Sequence, residues 1–375
     1  MKGYRLFRIF GFEVKLNLTW LLLALLITWT LAAGLFPASY PELNQSIYWW
    51  MGLSGAIGIL FSIVFHELSH SLVARFYGLQ IKGITLFIFG GVAEMQEEPV
   101  SPRVEFLMAV AGPVASVLLA LVFFLLEQMA TALGWSTAVI GVSHYLAMVN
   151  MIVAVFNLVP AFPLDGGRML RAVLWHWQKN LQRATHIASQ FGSGFGLALM
   201  ILGGLAFIQG NFIAGMWWVL IGAFLRTAAN GSYQQLLIQE MLSNKPVRQF
   251  MNTEPVTVSP DITIERWLED YVYKYHYKMF PVIEDSRLLG CIVTDSLKKL
   301  PRDEWRNKTV GDLTTPCSHE NTVSPDTDTA NVLAEMMKPD SSSRFMVVKN
   351  NSLEGMISLK DLRSYIALKM EIESS

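Results

Sequence analysis

The residues with the clearest chemical potential form the pentad His66–Glu67–Leu68–Ser69–His70. Residues four apart share one face of an α-helix, so both imidazoles can bind one zinc ion. Glu67 stands beside the pair and can accept a proton from a water molecule held there. Residues 57–65 before it are apolar apart from Gly58 and Ser62, and ionisable groups in such surroundings usually face a functional interior. The pattern favours a metal site over a coincidental polar patch.

A catalytic zinc site usually has three protein ligands and one position open to water. The segment NLVPAFPLDGGR, from Asn157 to Arg168, supplies Asp165 as the candidate third ligand. His70 and Asp165 both fall near the inner ends of apolar segments, so we expect them at a similar depth. The prolines and glycines of this segment break the helix, which is tolerated at membrane depth where the backbone lines a wet cavity. A helix cap at the membrane surface is the alternative for Asp165.

Other polar residues of the apolar half are weaker candidates. Asn157 could orient a substrate amide or make an interhelical hydrogen bond. His144 lies far from the pentad in depth, and His176 and His186 lie in a basic loop. We expect these three histidines to be structural.

The elements that must position these residues are membrane spans. Hydrophobic residues make up 52% of the chain and charged residues 16%, which excludes a disordered chain and is unusual for a soluble enzyme. A spanning helix needs about 20 mostly apolar residues, and six such stretches are present. They cover roughly 18–36, 50–77, 104–126, 138–162, 192–208 and 212–229.

The distribution of basic residues predicts the orientation of the spans. The loops 37–48, 127–137 and 209–211 contain no Lys or Arg, whereas every Lys and Arg within 1–235 falls on the opposite side. By the positive-inside rule, the N- and C-termini are cytoplasmic.

Cys291 and Cys317 make no disulfide framework and suit a reducing compartment. A net charge of −1 gives a nucleic-acid partner no electrostatic support.

Two cytoplasmic segments read as strands rather than spans. Residues 4–18 alternate around Gly11, and residues 81–95 are rich in β-branched and aromatic side chains. One hypothesis is a structural sheet that caps the bundle. The other is an edge strand, over 84–89, that pairs with an extended substrate peptide.

Residues 1–235 resemble the site-2 protease family of intramembrane zinc metalloproteases. The resemblance rests on HELSH within an apolar segment and on the later segment NLVPAFPLDGGR. It implies that His66, His70 and Asp165 hold one zinc ion per chain and that Glu67 is the general base. It also implies that Asn157 helps to position substrate. The Phe89–Gly90–Gly91 stretch resembles a glycine pair of the family, which adds Gly90 and Gly91 as substrate-positioning candidates.

The part of the chain that follows, 236–375, holds most of the charged side chains and contains an internal repeat. VSPD at 258–261 matches VSPD at 323–326, and Gly290 matches Gly355 at the same offset. Each copy reads as helix, strand, strand, helix. This half resembles a tandem pair of CBS domains, at 246–305 and 306–375, a module that commonly binds adenine nucleotides.

The resemblance makes Ser358 and Asp361 candidate nucleotide ligands, with ATP or another adenine nucleotide as cofactor. The first copy has Val293 and Ser296 at the equivalent positions, so at most one full site is expected. A purely structural dimerisation module, forming a homodimer, is the alternative for the pair. Asp361 could equally cap the helix that follows it.

The sequence thus predicts a multi-pass α-helical membrane protein with a small membrane-associated β-sheet and a soluble α+β CBS pair. The favoured function is an intramembrane zinc endopeptidase that cleaves spanning segments of single-span membrane proteins, with the CBS pair sensing nucleotide. A prokaryotic inner membrane is the expected location. The alternatives are a CBS-regulated transporter and a catalytically inactive scaffold. A transporter should spread ionisable groups through the bilayer, and a scaffold should lack the base or a ligand.

Overall fold

The computed structural model describes residues 4–88, 90–95, 99–285, 287–338 and 341–373. The chain divides into two compact units, Met1–Gln234 and Gln235–Ser375. The first unit is helical apart from one sheet. The second unit mixes short helices with two small sheets.

Six helices are long and apolar enough to cross a membrane, as the sequence predicted. The first combines α1 (Leu18–Thr30), a π-helical turn (Leu31–Leu35) and α2 (Phe36–Ser39). The others are α3 (Gln45–Phe76), α4 (Pro102–Ala132), α5 (Thr137–Asn157), α7 (Leu181–Ile208) and α8 (Phe212–Leu242). At 1.5 Å per residue, the 32 residues of α3 reach about 48 Å, longer than the apolar thickness of a bilayer.

The fourth span ends earlier than the sequence indicated. Helix α5 stops at Asn157, not near residue 162, and the amphipathic helix α6 (Asp165–Gln178) starts after an irregular segment. The intervening backbone folds back onto the first turn of α6. A Cβ at Gly166 would lie 2.3 Å from the Leu158 carbonyl oxygen, and one at Gly167 would lie 2.2 Å from the Phe162 nitrogen. Glycine is therefore required at both positions.

The two predicted strand segments form one four-stranded sheet. Its strands are β1 (Tyr4–Ile9), β2 (Phe12–Leu16), β3 (Ile81–Phe87) and β4 (Gly90–Met95), in that order. Strand β2 pairs with β3 in parallel, and β3 pairs with β4 antiparallel. The prediction of an edge strand over 84–89 is wrong, because β3 has a neighbour on each side. Strand β4 is the edge at this end.

The second unit confirms the repeat. Strands β5 (Met279–Glu284) and β6 (Arg287–Val293) recur in the second copy, at the offset of the sequence repeat, as β9 (Arg344–Lys349) and β10 (Ser352–Ser358). The short strands β7 (Thr315–Pro316) and β8 (Thr322–Val323) complete the two sheets. The helices are α9 (Ile264–Trp267) and α10 (Tyr273–Tyr275), joined by a π-helical turn, then α11 (Thr329–Met336) and α12 (Leu359–Glu373).

The copies differ after their hairpins. The second copy continues into the 15-residue α12, whereas the first continues into two short 3₁₀ turns, Thr294–Lys299 and Arg302–Glu304. The expected closing helix of the first copy is therefore much reduced.

The copies also exchange segments. The Asn252 and Met356 backbones bond reciprocally at 2.7 and 2.9 Å, which ties the entry to the first copy onto the second hairpin. Conversely, Cys291 of β6 pairs with Thr315. Val247 lies in the second copy's core with Phe345 and Leu362.

Candidate metal centre

The two histidines of the pentad lie one turn apart on α3, and both are buried, at 6% and 5% exposure. Their ring centroids are 4.8 Å apart and their Nε2 atoms 3.1 Å apart. The helix therefore presents two imidazole nitrogens to one point, as the i, i+4 spacing predicted.

Asp165 brings a carboxylate to the same point from the first residue of α6. Its Oδ2 lies 3.1 Å from His66 Nε2 and 3.3 Å from His70 Nε2. Tetrahedral ligand atoms at about 2.0–2.1 Å from a zinc ion are separated by about 3.3 Å. The three side chains therefore fit a zinc ion. Within the described part of the chain, they form the one cluster of three or more metal-binding side chains at such distances.

Helix α4 holds the outer nitrogens of both rings. His70 Nδ1 donates to the Met108 carbonyl at 2.6 Å, and His66 Nδ1 lies 2.8 Å from Ser116 Oγ. A carbonyl oxygen only accepts, so Nδ1 of His70 carries the proton and Nε2 offers its lone pair. Such outer contacts orient metal-binding histidines and fix their tautomer.

Gly112 makes room for the cluster. A Cβ at this position would lie 2.2 Å from His70 Nε2 and 2.5 Å from His66 Nε2. Sequence reasoning missed Met108, Gly112 and Ser116. The available signal was their spacing of four along one apolar helix, which places them on one face.

Glu67, the candidate base, extends toward strand β4. A Cβ at Gly91 would lie 2.5 Å from Glu67 Cγ and 3.3 Å from its Oε1. Only a glycine backbone can approach the carboxylate this closely. Gly90 begins β4 with φ of +131°, a backbone conformation that favours glycine. Phe89 lies outside the described residues.

The structure also places the remaining candidates of the first unit. Asn157 is the half-buried last residue of α5. His144 Nδ1 lies 3.1 Å from Glu127 Oε1, and His186 Nε2 lies 3.0 Å from Gln190 Nε2. His176 lies in the last turn of α6. Asn150 is buried and donates to Ser62 Oγ at 2.9 Å. Nothing in the sequence indicated this contact.

Ser358 and Asp361 form a reciprocal cap at the start of α12. The Ser358 amide and hydroxyl donate to Asp361 Oδ2 at 3.0 and 2.6 Å, and the Asp361 amide donates to Ser358 Oγ at 3.3 Å. Asp361 therefore caps α12 from within its first turn, as the partner of Ser358, and not as the residue before a helix that starts at Leu362. In the first copy, Asp295 pairs with Lys298 at 2.9 Å.

Two further side chains lie near this cap. Arg344 is the cross-strand partner of Ser358. Its guanidinium carbon lies 5.2 Å from the ring centroid of Tyr277, which belongs to the first copy. A hydroxyl, a carboxylate and a guanidinium of the second copy thus lie in one region, and the guanidinium contacts an exposed aromatic ring of the first copy. The sequence did not reveal this link, because Tyr277 and Arg344 are distant in the chain and lie in different copies.

The family model described as peptidase family M50 matches residues 54–132 and 127–202, and the CBS domain model matches 247–300 and 310–368. The Mycobacterium tuberculosis protein Rip3, whose name describes a zinc metalloprotease, is 31% identical over 96% of this chain and 91% of its own. Zinc metalloprotease MJ0392 of Methanocaldococcus jannaschii is 32% identical over 98% of both chains. A solved site-2 protease from the same organism is 29% identical, covering 61% of this chain and 94% of that chain, with a TM-score of 0.44.

The match to MJ0392 extends through the apolar half and the repeat alike. With the family models on both halves and six helices long and apolar enough to cross a membrane, the chain belongs to peptidase family M50, the site-2 proteases, and is an integral-membrane zinc metalloprotease carrying tandem CBS domains.

Proposed function

We propose that the chain is an intramembrane endopeptidase whose metal ligands are His66, His70 and Asp165. The observation that carries this proposal is the convergence of three buried ligand atoms, 3.1–3.3 Å apart. Two come from α3, which is long and apolar enough to cross a membrane, and the third comes from the first residue of α6. Residues 1–235 form the protease domain, and 246–305 and 306–375 form the CBS repeats. When bound, zinc would polarise a peptide carbonyl and acidify water at its open position.

Glu67 is the general base in this proposal. It directly follows His66 and reaches toward the sheet edge, so it can take a proton from water and pass it to the leaving amine. Asn157, Gly90 and Gly91 position the substrate. Gly91 does so by allowing the strand backbone to lie against the Glu67 side chain.

The substrate is a spanning segment of another membrane protein, of the single-span type. A helical segment hides its carbonyls in hydrogen bonds, so the cleaved stretch must unwind first. Among the described strands, β4 has only β3 as partner. Its other edge can pair with an unwound peptide. The pairing strand is therefore β4 rather than the 84–89 stretch, and Gly91 brings it beside Glu67.

The competing functions fit less well. A transporter should distribute ionisable groups along a path, whereas His66, His70, Glu67 and Asp165 lie together. A scaffold without activity should lack the base or a ligand, and all four are present. The basic residues support cytoplasmic termini. The proposed location is a prokaryotic inner membrane, because the similar proteins Rip3 and MJ0392 come from prokaryotes.

The CBS pair is proposed to bind an adenine nucleotide and to regulate cleavage. Ser358 and Asp361 offer groups for a ribose, Arg344 offers a cation for phosphate, and Tyr277 offers a ring for the base. A homodimer through the CBS domains is the competing role. Measuring nucleotide binding and oligomeric state of the full chain in the same titration distinguishes the two roles.

The decisive experiment has two parts. Zinc content is measured on the full chain purified in detergent, and cleavage is measured by co-expressing the full chain with candidate single-span proteins. The parent is expected to bind one zinc per chain and to cleave a substrate. Glu67→Gln should retain zinc and lose cleavage, because only the base is removed. Glu42→Gln changes an exposed carboxylate and should behave as the parent. Full cleavage by Glu67→Gln, or a parent without zinc, would reject the peptidase mechanism.

A further inference from the structure

One face of α4 carries more than the contacts to the histidines. Glu105, Met108, Gly112 and Ser116 follow one another at spacings of three and four, so they lie along one side of the helix. Met108 and Ser116 hold the two imidazoles, and Gly112 accommodates them. Glu105 is 0% exposed and points to a different partner.

That partner is Arg171 of α6, itself 5% exposed. Arg171 Nε donates to Glu105 Oε1 at 2.6 Å, and Nη2 donates to the same oxygen. The guanidinium carbon also lies 5.1 Å from the ring centroid of Phe162, in the irregular segment before α6. Arg171 thus joins α4, α6 and the backbone that leads into α6.

Burying two opposite charges costs several kcal/mol in desolvation, which their attraction only partly repays. The pair is therefore a weak source of stability, and its geometric effect is more informative. Arg171 follows Asp165 on the same helix at a distance of about 9 Å along the axis. Fixing Arg171 on α4 limits sliding and rotation of α6, and so limits where the Asp165 carboxylate can lie.

We propose that Glu105 and Arg171 are positioning residues that set Asp165 against the histidine pair. Helix α4 is then the common support: it orients both imidazoles directly and the carboxylate through α6. The proposal rests on the ligand set of the proposed function.

The test compares zinc affinity and cobalt spectra of full-length variants in detergent. A single change would leave a buried charge uncompensated, so the main variant is Glu105→Gln/Arg171→Met, which removes both charges. We expect its zinc affinity, measured by competition with a chelator, to fall about tenfold. Its Co²⁺ d–d absorption should also change, because the carboxylate ligand is displaced. The control, Arg183→Met, removes an exposed cation and should match the parent.

A folded double variant with parental affinity and parental cobalt spectrum would overturn the proposal. If the double variant does not fold, Arg171→Lys keeps the charge but loses the planar fork. We then expect an affinity loss of severalfold, and parental values would count against the proposal. His66→Ala tests the ligand set separately. If the parent binds no zinc, or His66→Ala binds it normally, the proposed site itself fails.

Discussion

At the scale of residues, the two histidines differ in how firmly their tautomer is set. His70 Nδ1 meets a carbonyl, which can only accept, whereas His66 Nδ1 meets the Ser116 hydroxyl, which can donate or accept. The tautomer of His66, and with it the lone pair on its Nε2 atom, therefore depends on the Ser116 side chain, which a substitution can remove.

Ser116→Ala is expected to weaken zinc binding about 10–100-fold, because an outer contact of a metal-binding histidine is lost. Chelator competition on the purified protein measures the effect. Thr131→Ala removes a hydroxyl from the exposed end of the same helix and should leave zinc affinity unchanged. Equal affinities for both variants would show that the Ser116 contact is dispensable.

Gly112→Ala is expected to displace one or both imidazoles, because the added Cβ would meet their Nε2 atoms at 2.2 and 2.5 Å. Overpacking of this kind costs about 1–3 kcal/mol, and we expect zinc per chain to fall well below one. The measurement is metal content with thermal stability alongside. Gly194→Ala is the matched control, since nothing lies within 4 Å of its added Cβ. A fully zinc-loaded Gly112→Ala would contradict the proposed cradle.

At the scale of elements, proline substitutions along the edge strand β4 should have effects that alternate from one residue to the next. Proline placed in turn at Val92, Ala93 and Glu94 removes one N–H at a time. Successive N–H groups point to opposite sides of a strand. Where the N–H serves β3, the sheet should lose stability. Where it faces outward, cleavage should slow while stability and zinc content hold. Turnover of a stable variant equal to the parent at every outward position would exclude substrate pairing on β4.

What the sequence could predict at this scale followed from local patterns. The six spans, the imidazole pair and the constant offset of the repeat each rest on composition or spacing. The order of the sheet did not follow, because it depends on β2 pairing in parallel with β3, from which the whole of α3 separates it. The Met108 carbonyl has no sequence signature, since every residue carries one. The Glu105–Arg171 pair joins two helices that are distant in the chain, and nothing local relates them.

At the scale of the whole molecule, the nucleotide proposal can be separated from the metal centre. Tyr277→Ala is expected to weaken ATP, ADP or AMP binding to the full chain about tenfold, because an aromatic stacking surface is removed. Zinc content should remain at the parental value. Isothermal titration checks the first and metal analysis the second. Arg306→Ala, which removes an exposed cation paired with Glu265, should bind as the parent does. Identical nucleotide binding by the Tyr277 and Arg306 variants would exclude this ring from the site.

The exchange of segments within the CBS pair limits how this chain can be divided. A fragment ending at residue 305 would lack the Thr315–Pro316 strand that completes its own sheet. A fragment starting at 306 would lack Val247 and Asn252, which pack and bond to the second hairpin. Neither repeat is a self-sufficient folding unit, so the two CBS repeats should unfold together in one cooperative transition. An isolated repeat, tested for ligand binding by itself, would report on a damaged protein rather than on a separable sensor.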